Sequence, residues 1–163
     1  MQPPDRYRDL IDYLSFAGAR FDVGVAAPRH HWPAALEALH HDASREAPAI
    51  DAEALVVKSL PGQAYLLVVV PAGRVPEERE LRSALGAFQW IGAEETLEVT
   101  DGLAPGTLPP FGWPYLPGIS KVFLDRQIAA ADAVVFKAAA HDRTLCMTGR
   151  DFQGVLGAFE LLG

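Results

Sequence analysis

The sequence has little of several features that would point to particular classes of protein. Its 163 residues include one cysteine, Cys146, which excludes an internal disulfide and a multi-cysteine metal site. No apolar run approaches the roughly 20 residues that a membrane-spanning helix needs. Residues 1–9 show no secretory signal pattern. We therefore expect a cytoplasmic protein without a membrane partner.

Basic side chains are also scarce. The formal net charge is −7, and the lysines are Lys58, Lys121 and Lys137. Proteins that bind nucleic acid by neutralising many phosphates are usually basic. The charge therefore argues against a DNA partner and a general RNA binder, but it allows contact with one RNA end through a local patch.

Hydrophobic residues make up 50% of the chain, which predicts one folded domain over residues 1–163. The apolar spacing predicts helices and strands that intermix without strict alternation. We expect a mixed α/β (α+β) fold, in which helices surround a curved, partly barrel-like mixed sheet. The predicted helices are a first one from Asp5 that Gly18 ends, Ala34–His41, Glu77–Leu85, Ala93–Val99, Gln127–Ala131 and a last one from Arg150 through Leu162. The predicted strands are Phe21–Val25, Ala54–Leu60, Ala64–Val70, Phe88–Ile91, Lys121–Leu124, Ala133–Phe136 and Thr144–Thr148.

Lys58 is unusual because it lies in an otherwise apolar predicted strand. Burying an ammonium group without a partner is costly, so such a lysine either pairs with a charge or extends its head to water at the strand end. Ser59 follows directly, but neighbours on a strand point to opposite faces. The two residues therefore make a poor nucleophile–base pair.

The segment Asp101–Gly112 is rich in glycine and proline. Glycine lets a backbone approach a ligand closely, and proline stiffens the path between glycines. Such a loop can present backbone N–H groups to a carbonyl or an oxyanion. The alternative is an ordinary rigid surface loop.

Together these features resemble the YbaK and prolyl-tRNA synthetase-associated editing family. In that family a Lys-Ser or Lys-Thr pair closes a strand, a Gly-x-x-x-Pro-Phe-Gly loop follows, and Leu-Asp comes after a later strand. Here these elements are Lys58-Ser59, Gly106–Gly112 and Leu124-Asp125. The resemblance covers residues 53–162, whereas residues 1–45 match poorly and form a divergent, helical N-terminal segment.

The resemblance implies that the protein deacylates aminoacyl-tRNA and that the acceptor end of the tRNA is its partner. We expect no metal and no other cofactor, because four of the five histidines form adjacent pairs, whose side chains diverge on a helix or strand. Lys58 would hold the 3′ end, and the backbone of the loop would position and polarise the aminoacyl carbonyl. Asp125 is a candidate partner for Lys58 or Lys121, or a cap for the following turn. The implied catalytic residues are Lys58, Gly106, Thr107 and Pro110, and the implied substrate-binding residues are Lys58, Phe111, Gly112, Asp125 and Ala139.

One departure bears on catalysis. Many relatives carry an Ala-Gly pair after the strand that precedes the last hairpin, whereas this chain has alanine at Ala139. Alanine there narrows the freedom of the backbone and would shrink or block the pocket. The alternative function is therefore an inactive binding module for an aminoacyl group, a tRNA 3′ end or a partner protein. A small-molecule amidase or esterase is a third possibility.

Overall fold

The computed structural model describes residues 5–25, 49–74 and 76–162. The helices are α1 (Arg6–Phe16), α2 (Glu78–Leu85), α3 (Ala93–Val99), α4 (Arg126–Ala129) and α5 (Gly149–Leu156). The strands are β1 (Asp22–Val25), β2 (Ala49–Ser59), β3 (Tyr65–Pro71), β4 (Phe88–Trp90), β5 (Ile119–Asp125), β6 (Ala133–Lys137), β7 (Arg143–Thr148) and β8 (Glu160–Leu162). Each predicted strand falls on one of these, and the helix predicted over Ala34–His41 lies outside the described residues.

The described strands form one mixed sheet of eight in the order β1-β7-β6-β2-β3-β5-β8, with β4 paired to β2. Strand β2 is antiparallel to β3 and β4 but parallel to β6. The predicted mixed fold is confirmed. Within residues 5–25, 49–74 and 76–162 the sheet is open and does not close into a barrel, because the strands at its two ends, β1 and β8, each pair with one neighbour.

Strand β2 separates two apolar layers. Ala54 and Val56 belong to the larger layer, together with Phe111 from the connection between α3 and β5. Val57 belongs to the smaller layer, on the opposite side of the sheet. Because side chains alternate along a strand, Lys58 lies on the side of the larger layer.

One edge of β2 serves two partners. Residues Ala49–Ala52 pair with β6, and residues Val57–Ser59 pair with β4. The carboxyl ends of β6 and β4 therefore approach each other along the middle of β2. As a result, the turn after β6 lies beside the stretch of β2 that leads to Lys58.

Helix α1 is joined to the α3–β5 loop, which we define as residues 100–118. The Asp5 side chain caps the helix by accepting a hydrogen bond from the amide of Arg8. The Arg6 guanidinium donates to the Tyr115 carbonyl at 2.9 Å. In return, the Tyr115 hydroxyl donates to the Arg6 carbonyl at 2.9 Å. These long-range bonds attach the N-terminal helix to the loop.

The last helix is shorter than predicted. Apolar spacing from Phe152 through Leu162 predicts one continuous helix, but α5 ends at Leu156. Gly157 then adopts φ +70°, and the chain continues into β8, which pairs in parallel with β5. The prediction was wrong beyond Leu156. The apolar residues that follow also fit helical spacing, but Glu160–Leu162 form a strand because they pair with β5, which is distant in the sequence.

Candidate active site

Lys58 lies at the carboxyl end of β2, where the sheet borders α3. Its side chain is 27% exposed, and its Nζ lies 3.9 Å from Glu95 Oε2. Nζ also lies 5.7 Å from the centre of the Tyr65 ring. The ammonium makes no hydrogen bond to any described residue. Its N–H donors therefore remain available for a ligand.

Tyr65 and Glu95 form a second contact beside this ammonium. Tyr65 is the register partner of Lys58 in the β2–β3 hairpin, and its hydroxyl donates to Glu95 Oε2 at 2.5 Å. The hydrogen bond to Glu95 raises the pKa of Tyr65, and the nearby carboxylate charges of Glu95 and Glu98 add to this. The carboxylate is thus held on one oxygen by a neutral phenol.

The α3–β5 loop is anchored to the larger apolar layer by Phe111. This side chain is fully buried, and its ring lies 5.3 Å from the ring of Phe136 and 5.6 Å from that of Phe152. Next to it, a Cβ on Gly112 would lie 2.9 Å from Val122 Cγ2, so the backbone packs directly on β5. Phe111 and Gly112 therefore attach the loop to the sheet. Because the Phe111 ring is buried in the core, it is unsuited to contact a substrate.

Few backbone amides of the Gly106–Pro110 segment are available to a ligand. Thr107 donates both its amide and its hydroxyl to the Ala104 carbonyl, at 3.1 and 2.7 Å, and the two following prolines, Pro109 and Pro110, carry no N–H. The amides of Gly106 and Leu108 donate to no acceptor among the described residues. Thr107 thus closes a turn that leaves two amides unused.

Ala139 and His141 lie in the turn after β6, against the same loop. A Cβ on Gly106 would lie 3.5 Å from His141 Cε1. Ala139 adopts φ +64°, and Gly106 adopts φ +88°, in the left-handed region that favours glycine. The backbone at Ala139 therefore has a conformation suited to glycine although an alanine stands there.

Asp125 lies away from Lys58. Lys58 pairs with Tyr65, and Tyr65 pairs with Ile119, the first residue of β5, whereas Asp125 is the last. Six residues of strand place these two ends of β5 about 20 Å apart. Asp125 Oδ1 accepts from the amide at the start of α4, and Oδ2 contacts Arg74 at 3.4 Å. The cap predicted as one alternative is the role found, and the pairings with Lys58 and Lys121 were wrong.

Two other groups, Ser59 and Cys146, are poorly suited to act as nucleophiles at this site. Ser59 faces the side of the sheet opposite Lys58, and burial raises the pKa of the Cys146 thiol to about 12. Within residues 5–25, 49–74 and 76–162, no three His, Cys, Asp or Glu side chains gather as metal ligands. No helix in the described part of the chain is long and apolar enough to cross a membrane.

Sequence reasoning missed Tyr65 and Glu95, which lie beside Lys58, and His141, which lies beside Gly106. The hairpin turn at Pro61-Gly62, together with the register it sets, could have placed Tyr65 opposite Lys58. The other two depend on how α3, the α3–β5 loop and the turn after β6 pack, for which the sequence carries no local signal.

Comparison with known proteins identifies the family and the fold. Residues 30–155 match the model of the aminoacyl-tRNA editing domain family, whereas comparison with curated proteins gives no match. A protein proposed to be a trans-editing enzyme for prolyl tRNA synthetase is similar in structure, with a TM-score of 0.69, 18% identity, and coverage of 98% of this chain and 96% of that one.

Two further solved structures show the same fold. A scaffold protein for epitope grafting has a TM-score of 0.70 at 14% identity, with coverage of 98% of this chain and 96% of that chain. A proposed signal transduction protein of Marinobacter aquaeolei has a TM-score of 0.66 at 16% identity, with coverage of 94% of this chain and 29% of that chain. The resemblance seen in Lys58-Ser59 and Gly106–Gly112 is confirmed, and the chain belongs to the aminoacyl-tRNA editing domain family.

Proposed function

We propose that the protein is a cytoplasmic, trans-acting deacylase that hydrolyses the ester of a mischarged tRNA. The observation that supports this most directly is the Lys58 ammonium, which makes no hydrogen bond to a described residue and lies on the sheet face that carries the α3–β5 loop. In that loop two amides, those of Gly106 and Leu108, lack acceptors among the described residues. A cation and unbonded amides are groups that suit an RNA terminus that ends in an ester.

In this proposal Lys58 holds the terminal phosphate or ribose, and the Gly106 and Leu108 amides donate to the ester carbonyl oxygen. Water attacks the carbonyl carbon, the bond to the ribose oxygen breaks, and that oxygen takes up the proton released by water. Negative charge that develops on the carbonyl oxygen is stabilised by the two amides. Thr107 and Pro110 serve this chemistry by fixing the turn, and Phe111 and Gly112 by fixing the loop on the sheet.

The test compares Lys58→Ala with Lys121→Ala, which removes an exposed lysine paired with Glu160 at 3.0 Å. Single-turnover deacylation is measured with tRNAs charged with alanine, cysteine, serine and proline. We expect Lys58→Ala to lower the rate on the preferred substrate by about 10², the size of effect seen when a reacting group is no longer held in position. Lys121→Ala should leave it unchanged. Equal rates for Lys58→Ala and wild type across the panel would exclude Lys58 from the mechanism.

A second candidate, a binding module without chemistry, is favoured by Ala139. Its Cβ stands where many relatives carry glycine, in the same turn as His141, whose Cε1 would lie 3.5 Å from a Cβ on Gly106. If this methyl blocks the site, wild type binds charged tRNA without hydrolysis and Ala139→Gly hydrolyses it. Hydrolysis by wild type at the rate of Ala139→Gly would exclude this alternative.

A further inference from the structure

Three side chains from three elements meet beside the proposed RNA-binding ammonium: Lys58 from β2, Tyr65 from β3 and Glu95 from α3. The Tyr65 hydroxyl and the Lys58 ammonium both approach the same oxygen of Glu95, at 2.5 and 3.9 Å. Glu95 Oε1 has no partner among the described residues. The phenol is therefore the group that fixes this carboxylate, and the ammonium lies beside it.

The local structure holds both partners of Lys58 in place. The hairpin register sets Tyr65 directly across from Lys58, and the Tyr65 ring packs against the larger apolar layer. In the first turn of α3, the hydroxyl and the amide of Thr96 both bond to the Gly92 carbonyl, at 2.8 and 3.0 Å. These contacts fix the part of α3 that carries Glu95.

Folding stability does not account for this cluster. Lys58 is 27% and Glu95 is 36% exposed, and an exposed ion pair of this kind contributes little to stability. A carboxylate beside Lys58 also opposes the binding of an RNA phosphate, because the two anions compete for one ammonium. A contact that adds little stability and weakens ligand binding calls for another role, and orienting the ammonium is the one that the geometry supports.

We propose that Tyr65 and Glu95 are positioning residues for Lys58, and this rests on the proposed deacylase function. The Tyr65 hydroxyl fixes the Glu95 carboxylate, and the carboxylate and the Tyr65 ring keep the ammonium at the end of β2. When the tRNA acceptor end binds, its phosphate or ribose replaces Glu95 as the partner of the Lys58 ammonium. The ammonium keeps the orientation that Glu95 gave it. Glu95 thus lowers affinity for the RNA end and raises the rate of the bound complex.

The test is single-turnover deacylation at varied protein concentration, with wild type, Glu95→Gln, Tyr65→Phe and the double variant. The matched control is Glu94→Gln, which removes the same charge from the preceding, exposed position of α3. For Glu95→Gln we expect the maximal rate to fall about tenfold, since misplaced catalytic groups lose one to two orders of magnitude. The half-saturating concentration should stay constant or fall.

Tyr65→Phe keeps the ring and should lower the maximal rate by no more than the roughly tenfold loss of Glu95→Gln, because its hydroxyl acts on Lys58 only through the Glu95 carboxylate. The double variant should be no slower than Glu95→Gln, because the two residues act as one unit. Glu94→Gln should keep the wild-type maximal rate. An unchanged maximal rate in Glu95→Gln, or an equal change in Glu94→Gln, would overturn the proposal.

A second measurement does not depend on hydrolysis. The three lysines are reductively methylated with ¹³C, and the Lys58 signal is assigned with Lys58→Arg. We expect this signal to shift in Glu95→Gln and in Tyr65→Phe but not in Glu94→Gln. A Lys58 signal unmoved by both variants overturns the positioning role even where tRNA is hydrolysed. If the wild-type protein hydrolyses no charged tRNA, the deacylase proposal is wrong. The Lys58 signal then still shows whether Glu95 and Tyr65 hold the ammonium in place.

Discussion

Replacing Ala139 with glycine tests the conformation that this chain imposes on the turn after β6. Ala139 adopts φ +64°, and a residue with a Cβ pays about 1–2 kcal/mol for left-handed backbone. Glycine removes this strain but loses about 0.5–1 kcal/mol because the unfolded chain becomes more flexible. The two effects partly cancel, so the single variant alone is a weak test.

Ala140→Gly supplies the matched control. Both alanines are half-buried, but Ala140 is not among the described residues with positive φ. Its replacement therefore carries the entropic loss without the relief of strain. We expect Ala139→Gly to be more stable than Ala140→Gly by about 1–2 kcal/mol, or by about 2–8 °C in Tm for a chain of this size.

The assay is urea unfolding of wild type and both variants, with equal m-values as the condition for comparing them. Equal losses of unfolding free energy in the two variants would show that Ala139 carries no strain. The explanation of the turn would then be wrong, and with it the view that glycine is the better residue at that position.

Three further predictions concern positions outside the turn. Gly149→Ala should destabilise the protein by about 3 kcal/mol or more in urea unfolding, because its Cβ would collide with the Ala131 carbonyl. Gly154→Ala in the same helix meets nothing within 4 Å and should be neutral or stabilising in the same assay. Asp125→Ala should lower the unfolding free energy by about 1–2 kcal/mol through loss of a cap but leave the deacylation rate of the folded protein unchanged. A slower rate would show that Asp125 takes part in substrate binding or catalysis. Since burial raises the pKa of Cys146 to about 12, the stability it contributes is complete below its ordinary pKa of 9.0 and is lost as the pH rises toward 12. Thiol labelling at pH 8 should be slow in native and fast in urea-unfolded protein, and Cys146→Ala should reduce the loss of stability between pH 9 and pH 12.

The sequence is sufficient for elements whose signals are local. Leu10 and Leu14 repeat at helical spacing after Asp5, and α1 buries both. Apolar runs on either side of Pro61-Gly62 predict the β2–β3 hairpin that places Lys58. Strand β8 could not be predicted in this way, because its three residues become a strand only by pairing with β5.

The site was predictable at the level of segments and not of contacts. The glycine and proline pattern identifies the loop that carries Gly106, but it does not show that Thr107 uses its own amide on the Ala104 carbonyl. An acidic partner was one of two alternatives for Lys58, and Asp125 was the candidate. The partner found is Glu95, because Lys58 lies near α3 and the first residue of β5, whereas Asp125 is the last residue of that strand. That distinction comes from strand order, which residue types do not encode.

The bonds between Arg6 and Tyr115 have a consequence for how such domains diverge and how they can be recombined. Helix α1 lies in the N-terminal segment, which departs most from the family pattern. It nevertheless bonds to the α3–β5 loop, which carries the family motif. Substitutions in α1 can therefore alter the stiffness of that loop while every motif residue stays in place. A chimera that combines the first 20 residues of one relative with the remainder of another should therefore exchange the rigidity of this loop.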